Sequence, residues 1–193
     1  MGYTTEFYGS VGFNKPITYE LANYINKFSE VRHMWRNVEK IKKTYPNWEE
    51  LCFNGQLGDG GEYFIGEKPF GEKDESIVNY NCPFNSQPGL WCQWIINDDG
   101  ELEWDGNEKF YEYEEWLRYL IKHFFKPSGY ILNGEIEFQG EEYDDFGIIY
   151  VKDNVVTIKY GQRIMNNESR PTNCKNCGAP LISHKCEHCG TIY

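Results

Sequence analysis

The sequence predicts an α+β fold: a mostly antiparallel sheet with two or three helices packed on it, and a small metal-clasped element at the C-terminus. Three observations predict it. Two-residue alternation runs cleanly through GEIEFQGE. Two segments carry apolar residues at helical spacing. Four cysteines fall in two close pairs within the last twenty residues.

In chain order, TTEFYGSVGF (Thr4–Phe13) is rich in β-branched and aromatic residues and reads as a strand. Pro16 and Thr18 then introduce a helix, on which Leu21, Tyr24, Ile25 and Phe28 fall at i, i+3, i+4 and i+7 as one apolar stripe. Between Gly55 and Gly89 lies a long stretch bearing glycine and proline with weak periodicity. A span of this kind is uncommon inside a compact domain and is usually functional or disordered, but its aromatics and the EYFIG run argue for partial order. LWCQWII (Leu90–Ile96) and ELEW (Glu101–Trp104) flank NDDG as a hairpin. A second helix follows in YEYEEWLRYLIKHFF. Its wide apolar face, Tyr113, Trp116, Leu117, Leu120, Ile121, Phe124 and Phe125, should pack on the sheet, and Pro127 helps to stop it.

In GEIEFQGE, Ile136 and Phe138 share one face and Glu135, Glu137 and Gln139 the other. Asp153 and Asn154 supply a turn between GIIYV and VVTIKY. Three adjacent strands from about Ile131 to Tyr160 therefore form an antiparallel meander with one wet, acidic face. The polar stretch GQRIMNNESRPTN reads as a linker, which divides the chain into an α+β body (1–160), a linker (161–173) and a C-terminal module (174–193).

In that module, Cys174 and Cys177 form one pair and Cys186 and Cys189 the other, each followed by a glycine, Gly178 and Gly190. Two thiolates two residues apart grip one metal ion if the backbone between them turns sharply, and a glycine after the pair permits the left-handed conformation such a turn needs. Four sulfur ligands match the tetrahedral set that Zn²⁺ takes in structural sites. The arrangement resembles the zinc-ribbon family, and a closed four-cysteine site implies structural zinc, with two redox disulfides or an iron–sulfur site as the alternatives; the ion would substitute for a core that so short a segment cannot build.

The net charge of −11 is unevenly spread: Lys175 and Lys185 against Glu187 leave residues 171–193 at +1, so the first 170 residues carry −12. So acidic a body repels a phosphate backbone, and nucleic acid is a poor partner for it. MGYTTEFYGS shows neither a positive n-region nor an apolar h-region, and Glu6 stands where a myristoylation motif wants Ser or Thr. With no long apolar stretch, the expectation is a cytoplasmic protein with no membrane partner, whose cysteines serve metal or remain thiols.

The stretches MGYTTEFYGSVGFNKP, QPGLWCQW, EWDGNEKFYEYEEWLRYLIKHFF and LNGEIEFQGEEYDDFGIIYVKDNVVT resemble an uncharacterised family of bacterial, phage and microbial proteins. The resemblance spans most of residues 1–160. It implies one coherent domain and a phage or mobile-element setting, and it carries over no activity, ligand or catalytic residue.

QPGLWCQW leading into ELEWDG is the candidate ligand region, with Trp91, Gln93, Trp94 and Trp104 as its residues. On a strand, Trp91 and Gln93 share one face and Cys92 and Trp94 the other. Tryptophan beside glutamine suits a flat ligand that stacks and is hydrogen-bonded, such as a nucleobase; the competing reading makes these tryptophans core. Glu103 and Asp105, on one strand face, suit acid–base work or a divalent ion, although carboxylates on a solvated face need no such role. Cys92 is a possible nucleophile with His33 or His123 as base, but no local pattern ties them together. The leading expectation is a non-enzymatic binding or interaction protein with an aromatic-lined recess for a small nucleotide-like ligand or a host protein. The alternatives are a hydrolase or transferase using Glu103 and Asp105 with a divalent metal, and an adaptor whose ribbon docks a protein or nucleic acid.

Overall fold

In the first strand, Thr5, Phe7 and Val11 turn inward while Glu6 and Tyr8 face water, so the residue alternation sets which side of the sheet is buried. The computed structural model describes residues 2–69, 72–161, 173–174, 176–180, 186–189 and 191. The chain divides into two units, Met1–Gly161 and Gln162–Tyr193; the predicted linker lies almost wholly outside the described residues.

The described strands of the first unit are β1 (Thr5–Phe13), β2 (Trp35–Arg36), β3 (Ile77–Asn79), β4 (Trp94–Ile96), β5 (Leu102–Trp104), β6 (Leu132–Gly140), β7 (Phe146–Lys152) and β8 (Val155–Tyr160). Six form one antiparallel sheet in the order β4-β5-β1-β6-β7-β8, and β2 pairs with β3 separately. β1 and β6 pair along their full length, from Thr5↔Gly140 to Phe13↔Leu132. That pairing permits no side chain at Gly9, where φ is 102° and a Cβ would stand 2.8 Å from the Glu135 carbonyl. The predicted meander forms as β6-β7-β8, with Asp153 and Asn154 both left-handed at its turn (φ 50° and 68°). The Asn154 side chain holds the turn, accepting from Leu132 N at 2.8 Å and donating to Tyr130 O at 2.9 Å. Glu135 and Glu137 lie exposed and Ile136 and Phe138 buried, as the alternation predicts.

Among the described residues, three α-helices accompany the sheet: α1 (Tyr19–Glu30), α2 (Val38–Thr44) and α3 (Tyr113–Leu120). The predicted stripe of α1 is buried, and Thr18 caps it by accepting from Leu21 N. α3 packs beside β8 and continues into a π-helical turn, Ile121–Phe125, which lets Phe124 and Phe125 stay on the buried face. Trp94, Trp116, Phe28 and Phe124 are the large rings of the main core. α2 was not legible in the sequence. It belongs to a second, smaller core of Ile41, Tyr45, Cys52, Leu57 and Phe64.

The stretch from Gly55 to Gly89 has one short strand, β3, yet its path is determined by bonds to residues 33–37. His33, Trp35, Arg36 and Asn37 donate their backbone N–H groups to the carbonyls of Leu90, Cys82, Gly60 and Ser76 in turn. Beneath this seam the Arg36 guanidinium meets the Asp74 carboxylate, with both side chains 5% exposed. Ser76 Oγ accepts from Arg36 at 2.8 Å and donates to Asp74 at 2.7 Å, and the Tyr45 hydroxyl donates to Asp74 at 2.7 Å. Burial alone would raise the Asp74 carboxyl; the bonds from Ser76, Arg36 and Tyr45 outweigh it and hold the group at about 2.

A carboxyl so depressed contributes stability above its unfolded value of 3.8 that is lost as pH falls towards about 2. Unfolding free energy should therefore drop over that window by roughly 2 kcal/mol more in the wild type than in Asp74→Asn, measured by urea denaturation. Arg36→Met, which strands a buried carboxylate, should cost about 3–5 kcal/mol at neutral pH.

Candidate functional site

The hairpin of β4 and β5 has two faces with different fates. Trp94 pairs with Trp104, Ile95 with Glu103 and Ile96 with Leu102. Trp94, Ile96 and Leu102 turn into the core, and Trp94 Nε1 donates to the Tyr113 carbonyl at 2.9 Å. Trp94 is therefore a core residue and does not reach the ligand region expected of it; its ring meets Phe7 and Phe110 edge-on. Trp104 is half-buried, packs on Phe7 and sends Nε1 to Gln93 Oε1 at 3.1 Å.

On the other face a recess of about 870 Å³ opens between the end of α1, residues 91–95 and the loop that follows β5. Trp91 and Tyr111, 45% and 53% exposed, are aromatic walls of this recess. Asn26 and Gln93 lie deeper. Asn26 bridges to β4 through both atoms of its amide, donating to Ile96 O at 2.9 Å and accepting from Ile96 N at 2.7 Å. The Gln93 amide donates to Glu108 O at 3.1 Å while accepting from Trp104. The polar floor is thus already bonded to the protein, and it fixes the walls more than it reads a ligand.

Charge comes from Glu30, Asp105 and Glu108 against the one cation Lys109. Asp105 stiffens its loop by accepting from Asn107 N at 2.8 Å and Asn107 Nδ2 at 2.7 Å. Lys109 and Glu112 hold left-handed backbone (φ 64° and 53°), a conformation that costs non-glycine residues energy and recurs at ligand sites. Glu103, the other half of the proposed carboxylate pair, points elsewhere: it accepts from Asn97 Nδ2 at 2.8 Å and does not line the recess. Cys92 is fully buried, and burial pushes its thiol far up, away from a nucleophilic thiolate. Arg32 packs over the rings of Tyr80 and Trp91 at 4.5 and 5.7 Å. Glu30, Asn26, Glu108 and Tyr111 escaped the sequence reading because α1 and the loop after β5 meet the hairpin only in the folded chain.

In the second unit, the four Sγ atoms of Cys174, Cys177, Cys186 and Cys189 lie within 4.8 Å of one another. Cys174 and Cys189 are 3.5 Å apart and Cys177 and Cys186 3.6 Å, far beyond the roughly 2 Å of a disulfide and close to the roughly 3.8 Å edge of a tetrahedron with 2.3 Å metal–sulfur bonds. Gly178 N closes the first knuckle on Cys174 O at 2.7 Å. A Cβ at Gly178 would meet nothing within 4 Å, so its φ of 72° is what calls for glycine. The Thr191 hydroxyl and amide draw the Cys189 thiol below its usual value. The Ala179 amide acts likewise on Cys177, but burial and the neighbouring thiols override it and push Cys177 up to about 12. The four sulfurs at this spacing can hold one metal ion. Residues 181–185, including the rest of the expected spacer, lie outside the described residues. Among the described residues, no other set of three or more His, Cys, Asp or Glu side chains is close enough to share an ion.

No family model, curated protein or solved structure matches the chain.

The cysteine geometry carries a direct expectation: about one metal ion per chain by elemental analysis, lost on Cys174→Ser or Cys186→Ser, while the far-UV spectrum of the 1–161 body is kept.

Proposed function

We propose that the protein is a binding module whose recess receives a positively charged side chain, arginine or lysine, of a partner protein. The observation that supports this reading is the pairing of two half-exposed aromatic walls, Trp91 and Tyr111, with the carboxylates Glu30, Asp105 and Glu108. A cation over an aromatic face gains about 0.5–2 kcal/mol, and nearby carboxylates add to it. A stretch of 170 residues at −12 attracts such a partner and repels phosphates. The nucleotide reading is the weaker one, because the Gln93 amide that would read a base is engaged at both ends and three carboxylates, Glu30, Asp105 and Glu108, line the recess beside Lys109.

A hydrolase or transferase using Glu103 and Asp105 is less well supported, since Glu103 bonds to Asn97 outside the recess. The metal we assign to the four cysteines is zinc, because an all-sulfur tetrahedral set is its usual structural site. With every position filled by sulfur, the ion serves folding of the module, which remains free to dock a partner.

Titration with a short arginine peptide, followed by calorimetry, tests the recess. Trp91→Ala and Glu108→Lys should each weaken binding about tenfold, as expected for losing about 1.4 kcal/mol of cation–aromatic or charge attraction. Raising salt should weaken it further. Tighter binding of a mononucleotide than of the peptide would reverse the assignment.

A further inference from the structure

The aromatic surface does not end at the recess beside Trp91. Tyr111, one of its walls, also borders a second recess of about 290 Å³ at the start of α3. Tyr113 and Tyr160 line this second space, and both pack on the buried Phe138, with ring centres 5.8 and 5.7 Å away. Tyr113 also meets Phe7 edge-on at 4.8 Å, so the core fixes this wall before any guest arrives. Tyr111 is held by the segment before β1, its hydroxyl accepting from Tyr3 N at 3.2 Å.

Charge in the second recess has one sign. Glu112, Glu114, Glu115 and Asp145 line it, and no lysine or arginine does. Glu114 pairs with Arg118 one turn along α3, whereas Glu112, Glu115 and Asp145 enter no ion pair among the described residues. Asp145 accepts from the Tyr3 hydroxyl at 2.5 Å, which orients its carboxylate without neutralising it. Burial first, and then Tyr160, Asp145, Glu114 and Glu115, push the Tyr113 hydroxyl up, so these acidic groups surround one ring. Thr5, only 6% exposed, also lines the recess, and its hydroxyl takes part in no hydrogen bond among the described residues. A guanidinium brings five donors and no acceptor, which is what this hydroxyl and the carboxylates lack. The N-terminal end of α3 carries about half a positive charge and opposes a cation, but three unpaired carboxylates outweigh it.

We propose that the two recesses form one groove, divided by Tyr111, for an extended partner segment that carries two arginine side chains. The proposal rests on the reading of the first recess as a cation site and adds that one positive residue fills only part of the surface. In an extended segment, side chains two residues apart point to the same side, about 6–7 Å from each other. That short separation suits two recesses with a common wall. Each guanidinium then meets an aromatic ring and carboxylates together, the combination that favours arginine over a neutral side chain.

Calorimetry on the full chain with two end-capped peptides, Gly-Arg-Gly-Arg-Gly and Gly-Arg-Gly-Ala-Gly, tests the proposal. The first should bind about tenfold more tightly, well beyond the roughly twofold statistical gain of offering one site two arginines. Glu112→Gln combined with Glu115→Gln should remove that gain and leave binding of the single-arginine peptide in place. Glu112 makes no side-chain capping bond, so this double variant keeps the helix. Glu135→Gln combined with Glu137→Gln, an equal charge change on the exposed face of β6, should keep the gain. A gain lost in both double variants is long-range attraction and overturns the proposal, as does a gain that neither loses. Equal affinity of the two peptides overturns the second recess alone and leaves the first standing. Binding of neither peptide overturns both, and a dimer seen by light scattering then makes a second copy of the chain the occupant.

Discussion

The Arg36–Asp74 ion pair is the constraint around which the less regular part of the body is arranged. A charge with only 5% of its side chain exposed must be matched by an opposite charge and by hydrogen bonds, or the fold loses several kcal/mol. Asp74 sits in a stretch with almost no periodic structure, and Arg36 just before α2. Joining them ties Asp74 to the smaller core, whose Tyr45 hydroxyl donates to the same carboxylate. The backbone seam of residues 33–37 follows, and with it the segment that leads into Trp91. A long irregular segment thus becomes an ordered wall without forming a sheet of its own.

The β4–β5 hairpin shows how one short element serves stability and surface at once. Its inward tryptophan, Trp94, is spent on the core and on the Tyr113 carbonyl. Its outward neighbours, Gln93 and Ile95, become the floor of the recess. The Gln93 amide, which in isolation looks like a reader of ligands, instead joins Trp104 to the loop after β5 and so fixes where Glu108 and Tyr111 stand. What is left facing water is aromatic and acidic, and that remainder sets the class of guest we propose.

The C-terminal unit depends on a different force. Its described residues include no apolar cluster comparable to those of the body. Its organising feature is four sulfurs drawn to within 4.8 Å, a set that can hold one metal ion. The body is held by burial of aromatic rings, whereas the module's four cysteines are placed where they could hold a metal ion, so the two units should respond to different stresses.

Alternation in β1 and β6, the helical stripes of α1 and α3, the Asp153–Asn154 turn and the two cysteine pairs were all legible in the sequence. Each is a local pattern, written in residues a few positions apart and enforced by backbone geometry or ligand spacing. The acidic face of the meander followed from the same periodicity. The same alternation put Trp91 and Trp94 on opposite faces, but which of those faces is core was settled only where the hairpin meets the rest of the fold. α2, the Arg36–Asp74 pair and the recess walls Tyr111 and Glu30 unite residues 38 or more positions apart, or lack any period of their own. Sequence alone determined the sheet, the principal helices and the paired cysteines, because short-range stereochemistry and spacing suffice for them. Tertiary structure decided which aromatic rings are core and which meet solvent, because burial depends on what the rest of the chain places on top.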